Sequence, residues 1–143
     1  DVGGLIRTNE ISAYASKVSA IPEVRAHLLG LQRDIAAKNN VIMDGRDIGT
    51  VILPSADVKV FLFASDEARA KRRTAELQAK GIDAKYEDVL REMLERDAYD
   101  RHRTVATAVA AADAVMLDNS DLTVEGTADA ILALVKAARE GKA

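Results

Sequence analysis

Three short apolar runs recur along the chain, Val41-Ile42-Met43, Val58 to Phe63 and Ala114 to Leu117, with long amphipathic stretches between them. That alternation leaves few folds open. Runs this short and this apolar suit strands buried on both faces, which is how parallel sheets bury them. The strands are expected at 41–44, 58–63 and 114–117, the first and last closing on Asp44-Gly45 and Asp118-Asn119-Ser120. Helical spacing covers 9–19, through Ile11, Ala15 and Val18. It returns from Pro22 to about Lys38, with Pro22 at the first helical position and Val24, Leu28, Leu31 and Ile35 on one face. Ser65 or Asp66 can cap a helix that ends near Lys80, with Gly81 as its stop. Further helices are expected from Tyr86 to Arg103 and from Thr123 through Val124, Ile131, Leu134 and Val135. Strands alternating with helices predict α/β architecture around a parallel sheet. With no repeat and no Pro/Gly-rich linker, one domain over 1–143 is the expected organisation.

Ligands of such sheets sit beyond the C-terminal ends of the strands, here Asp44–Thr50, Ala64–Ser65 and Asp118–Ser120. The first is the most polar: Asp44-Gly45-Arg46-Asp47-Ile48-Gly49-Thr50 sets two carboxylates and an arginine after an apolar run, flanked by glycines. It reads either as a polar turn closed by an Arg–Asp pair or as a site where Arg46 grips phosphate bidentately beside a carboxylate. Arg96, Asp100 and Arg103 share one face of the 86–103 helix at i, i+4, i+7, and Arg69, Arg72 and Arg73 share one face of the helix before it. Each face reads as solvated, salt-bridged surface or as a set of phosphate-binding guanidinium groups.

The net charge of −3 speaks against general nucleic-acid binding, while arginines clustered in 69–73 and 91–103 suit a small anionic ligand. No apolar run approaches the roughly 18 residues that cross a bilayer. Asp1-Val2-Gly3-Gly4 has no signal-peptide pattern, and the chain contains no cysteine, so a cytoplasmic location is expected. An opening on Asp1 suggests a fragment or a processed product. His27 and His102 are too scattered for a metal site, and no Gly-x-Ser-x-Gly, His-Glu-x-x-His or Gly-x-Gly-x-x-Gly pattern occurs.

The run VIMDGRDIGTVILPSADVKVFLFAS, followed by ERDAYDRHR and AADAVMLDNSDLTVE, resembles bacterial cytidylate kinases, and IRTNEISAYASKVSAIPEVRAHLL resembles the segment before that family's third core strand. The resemblance runs in order over essentially the whole chain. It implies a P-loop nucleoside monophosphate kinase fold, a parallel sheet flanked by helices. In it, 1–40 would supply helices on the nucleoside monophosphate side, and 41–143 the core strands, lid and C-terminal helix. The implied activity is phosphoryl transfer from ATP, with Mg2+, to CMP or dCMP.

By the same resemblance Ser16, Arg25 and Asp47 would read cytosine, Arg46 and Arg103 would hold the CMP phosphate, and Arg96 and Asp100 would bond the sugar hydroxyls. Arg72 would be the lid arginine, helped by Arg69 and Arg73, and Asp44 would organise the magnesium shell. One departure is plain: no Gly-x-x-x-x-Gly-Lys-Ser/Thr loop occurs in these 143 residues. The sheet is therefore expected to be incomplete, without the family's first strand, phosphate loop and second strand. The chain alone is expected to be inactive and to self-associate or swap through open sheet edges. The alternative is a non-catalytic nucleotide-binding or interaction domain of the same family.

Overall fold

The computed structural model describes residues 6, 9–101 and 108–141, and the chain falls into two compact units, 1–44 and 45–143.

The first unit holds α1 (Asn9–Val18) and α2 (Pro22–Lys38). Pro22 opens α2 where an amide would have no helical partner, so its missing N–H costs nothing. The turn between the helices is tied by Ser19 N–H to the Ala15 carbonyl at 2.9 Å and Ile21 N–H to the Val18 carbonyl at 3.1 Å. The stripe expected on α2 exists at helical spacing, yet Leu28, Leu31 and Ile35 remain 43–50% exposed.

The structure corrects the strand expected at 41–44: those residues form no strand, and Ile42 is 99% exposed. A strand exists only by pairing, and among the described residues no neighbouring strand lies beside this one. Apolar composition cannot supply the missing ladder.

The second unit holds β1 (Val60–Phe63), α3 (Asp66–Ala79), α4 (Tyr86–Arg101), β2 (Val115–Asp118) and α5 (Val124–Glu140). β1 and β2 pair in parallel, Val60 opposite Val115 through Phe63 opposite Asp118, with α3 and α4 in the crossover. This is a small parallel sheet flanked by helices. Val115 N–H to the Lys59 carbonyl and Asn119 N–H to the Phe63 carbonyl, both 2.9 Å, extend the ladder at each end. Both strands therefore finish at one level, with Ala64-Ser65 alongside Asn119-Ser120.

The caps follow local chemistry. Ser65 Oγ accepts from Ala68 N–H at 3.1 Å at the start of α3, and Thr123 Oγ1 accepts from Gly126 N–H at 3.0 Å at the start of α5. Gly81 ends α3 at φ +77°, a left-handed turn that glycine adopts without steric cost. Gln78 Nε2 then donates to the Ala84 carbonyl at 2.9 Å and closes the connection to α4. α3 and α4 pack with Ala70, Thr74 and Val89 buried, and the Thr74 hydroxyl donates back to the Ala70 carbonyl at 2.8 Å.

Between the apolar segment and β1 lies a π-helical turn, Ile48–Ile52, which the sequence reading did not anticipate. The Asp47 carbonyl accepts from Val51 N–H at 2.9 Å and Ile52 N–H at 3.3 Å, and Leu53 N–H reaches the Ile48 carbonyl at 2.7 Å. Among the described glycines only Gly81 has a positive φ, so Gly45 and Gly49 are not needed for backbone freedom. A Cβ on Gly45 would stand 3.0 Å from Ile48 Cγ1, close enough that the Ile48 side chain must give, whereas one on Gly49 would make ordinary contact at 3.4 Å with the side chain of Lys59. That lysine is only 8% exposed. It donates to both carboxylate oxygens of Asp113, at 2.8 and 2.6 Å, and to the Pro54 carbonyl, pinning the start of β1 to the loop before β2.

Candidate functional site

The parallel strands deliver two of the three expected loops to one place. Ser65 N–H donates to Ser120 Oγ at 2.8 Å, joining the segment after β1 to the segment after β2. Ser120 in turn donates to Asp118 Oδ1 through its hydroxyl at 2.6 Å and its backbone N–H at 2.9 Å. These bonds, the hydroxyl's first, hold the Asp118 carboxyl below its ordinary value of 3.8.

A carboxyl whose folded value is depressed stabilises the fold above that ordinary value and loses the contribution as pH falls through the depressed one. Ser120→Ala is accordingly expected to return the Asp118 titration toward 3.8 in a carbon-detected NMR titration. A wild-type Asp118 already titrating at or above 3.8 would contradict the assignment.

Around this junction a cavity of about 300 Å³ is lined by Ser65, Glu67, Ala68, Lys71, Arg72, Ser120 and Asp121. Arg72, expected as the lid arginine, lies across its wall. Its Nη1 donates to Asn119 Oδ1 at 3.2 Å, and its Nη2 to the carbonyls of Asn119, of Ser120 at 3.2 Å and of Leu122 at 3.2 Å. The guanidinium thus gathers the carbonyls of the β2–α5 loop, a use of its planar fork that lysine could not match.

Arg69, one turn earlier on α3, donates from Nη2 to Asp66 Oδ1 and to Asp97 Oδ2, each at 2.5 Å. Asp97 lies on α4, so this group crosses between helices. The two carboxylates, Asp97 first, raise the Arg69 pKa and keep the group charged. Arg73 pairs with Glu76 at 2.9 Å and Arg91 with Asp88 at 2.6 Å, both on exposed surface.

The remaining expected residues divide between the units. Ser16 lies on α1 with its side chain outside the described set, Asp44 is exposed, and half-buried Arg25 donates from Nη1 to the Ser19 carbonyl at 3.4 Å. In the second unit Arg46 is exposed and Asp47 half-buried at the head of the π-helical turn. Arg96 is exposed on α4, and Asp100 lies on α4 with its side chain outside the described set. Arg103 lies outside the described residues.

Among the described residues no three acidic or histidine side chains gather as a metal-binding group, and no helix is long and apolar enough to cross a membrane. Asp97 is the neighbour of the expected arginines that sequence reasoning missed, while Asn119 lies in the Asp118–Ser120 segment already expected beyond the strand ends. Asp97 could have been flagged as a lone acid between Arg96 and Asp100, but its partner on another helix is a tertiary fact.

The small parallel sheet flanked by helices, with a polar junction at its C-terminal end, is an α/β arrangement of the kind that places ligands at that end. Comparison with known proteins narrows this. The cytidylate kinase family model matches residues 1–137, and the chain belongs to that family. It is 50% identical over 135 residues to a cytidylate kinase of Carboxydothermus hydrogenoformans, covering 94% of this chain and 61% of that protein. Against the cytidylate kinase of Thermosipho melanesiensis the identity is 47% over 135 residues, covering 94% of this chain and 62% of the relative. Against that of Mannheimia succiniciproducens it is 51% over 125 residues, covering 87% and 56%. The chain spans about three fifths of the length of these curated relatives.

Proposed function

We propose that this chain is the acceptor-side and lid portion of a bacterial cytidylate kinase that transfers a phosphoryl group from ATP to CMP or dCMP. The observation that carries the reading is the family match over residues 1–137, which contains both the DGRDIGTV and the ERDAYDRHR segments. In the reaction a phosphate oxygen of CMP attacks the γ-phosphorus, the bond from that phosphorus to the β,γ-bridging oxygen breaks, and ADP leaves with the electron pair. The protein has little covalent chemistry to do, so its work is positioning and charge stabilisation.

Each assigned residue has chemistry suited to its role. Arg46 and Arg103 hold the CMP phosphate with bidentate guanidinium bonds. Arg96 and Asp100 bond the sugar hydroxyls. Ser16 and Arg25 donate to the cytosine acceptors, and Asp47 accepts from the exocyclic amino group. Uracil presents a carbonyl there, which a carboxylate repels. Arg72, with Arg69 beside it, serves the donor side, and the cavity that Arg72 and Lys71 line at the strand ends is where we place part of the donor. Mg2+ bound with the donor would neutralise phosphate charge, and exposed Asp44 would help hold it through a water. A cytoplasmic location goes with this substrate set.

The chain by itself is inactive in this reading, because its residues include no Gly-rich, lysine-bearing loop to cradle the ATP phosphates. The same observation favours a second reading, a nucleotide-binding domain without catalysis, as does the engagement of Arg72 by loop carbonyls.

Asp47→Asn tests the base-reading role. In the complete kinase the preference for CMP over UMP, as a ratio of kcat/KM, is expected to fall at least about tenfold, the scale of one lost charged hydrogen bond. An unaltered ratio would remove Asp47 from the cytosine site.

A further inference from the structure

We propose that Asp97 is a positioning residue of the kinase reaction: through Arg69 it locks α3, which carries Arg72, to α4, which carries Arg96 and Asp100. The proposal rests on the functional reading above and adds to it a link between donor-side and acceptor-side helices. Its basis is one guanidinium shared by two carboxylates. Arg69 Nη2 lies 2.5 Å from Asp66 on its own helix and 2.5 Å from Asp97, 28 positions later on the next.

A pair such as Arg69–Asp66 at i, i+3 is common helix surface and contributes little. The bond to Asp97 is of another kind. Arg69 and Asp97 are each 35% exposed, the pair joins two helices, and the Arg69 Nε is shielded from water without an acceptor among the described residues. A buried N–H left unpaired costs stability, so two carboxylates fix this guanidinium's orientation at the expense of its third edge.

The placement of Asp97 explains why that orientation matters. Asp97 directly follows exposed Arg96, so consecutive positions on α4 face α3 and solvent respectively. Holding Asp97 sets the rotation of α4 about its axis and with it the direction of Arg96. Arg72 follows Arg69 by one turn of α3 and is anchored on the loop after β2. Arg69 thus stands between a helix end tied to the sheet and a helix presenting acceptor-side residues. A link of this kind affects the alignment of two bound nucleotides more than the affinity for either.

The test is steady-state kinetics of the complete kinase with Asp97→Asn, nearly isosteric but uncharged, at a temperature well below the unfolding midpoint of each protein. The expected result is a fall in kcat of about tenfold or more with the KM for CMP and for ATP held within about twofold. Arg69→Lys, which keeps the charge but not the fork, should recover part of what Arg69→Met loses. A merely structural contact would lower the midpoint and leave kcat intact. A folded Asp97→Asn protein with wild-type kcat overturns the proposal, as does a loss carried by KM alone. Those outcomes leave the functional reading standing, whereas a wild-type kinase that does not phosphorylate CMP overturns both.

Discussion

Arg46→Ala is expected to lower kcat/KM for CMP in the complete kinase by at least about a hundredfold, while Arg46→Lys recovers only part of the loss. Arg46 sits in the DGRD segment next to Asp47, which heads the π-helical turn. Its backbone therefore adjoins a turn held by the Asp47 carbonyl, which accepts from Val51 N–H and Ile52 N–H. A guanidinium presented from such a turn can meet phosphate with two parallel charged bonds, each stronger than a neutral one. Losing both, about 3 kcal/mol in the transition state, corresponds to two powers of ten. A loss of less than about threefold would take Arg46 out of the phosphate site.

The second large effect concerns the 143 residues alone. Expressed by themselves they are expected to form no CDP from CMP and ATP above the rate without protein, where a complete kinase turns over roughly 1–100 times per second. The phosphoryl donor needs backbone amides and a lysine around its phosphates, and no Gly-rich loop of that pattern occurs in this chain. Folding points the same way. Among the described residues only Ile52, Ala70 and Val89 are buried apolar side chains, whereas Met116 is 55%, Leu62 46% and Phe63 39% exposed. A two-stranded sheet with that much apolar surface is marginal as an independent body. Self-association is the expected consequence, read as a mass that rises with concentration in sedimentation equilibrium. A dilute monomer with cooperative unfolding and clear ATP-dependent CDP formation would refute this account of the isolated chain.

How far the sequence could be read depended on whether a feature was local. Pro22 at the start of α2, the Ser65 and Thr123 caps and Gly81 after α3 act through bonds within a few residues, and each helix is found where those residues put it. The strand at 41–44 is not found, because a strand is a relation between two segments and Val41-Ile42-Met43 describes only one. The π-helical turn was invisible for a similar reason, since nothing in Ile48-Gly49-Thr50-Val51-Ile52 announces an i→i+5 bond. Of the candidate site, arginine spacing showed which guanidinium groups share a helix face but not what holds them. Arg73 meets its neighbour Glu76, which spacing suggests, while Arg69 meets Asp97 and Arg72 meets Asn119, which only packing provides.

The most direct measurement of the central claim is an acceptor comparison: initial rates of ADP formation by the complete kinase with ATP and CMP, dCMP, UMP or AMP at equal concentration. The account expects CMP and dCMP to be phosphorylated, with UMP at least about tenfold slower because Asp47 faces a carbonyl in place of an amino group. Rates with UMP or AMP equal to or above that with CMP would contradict it.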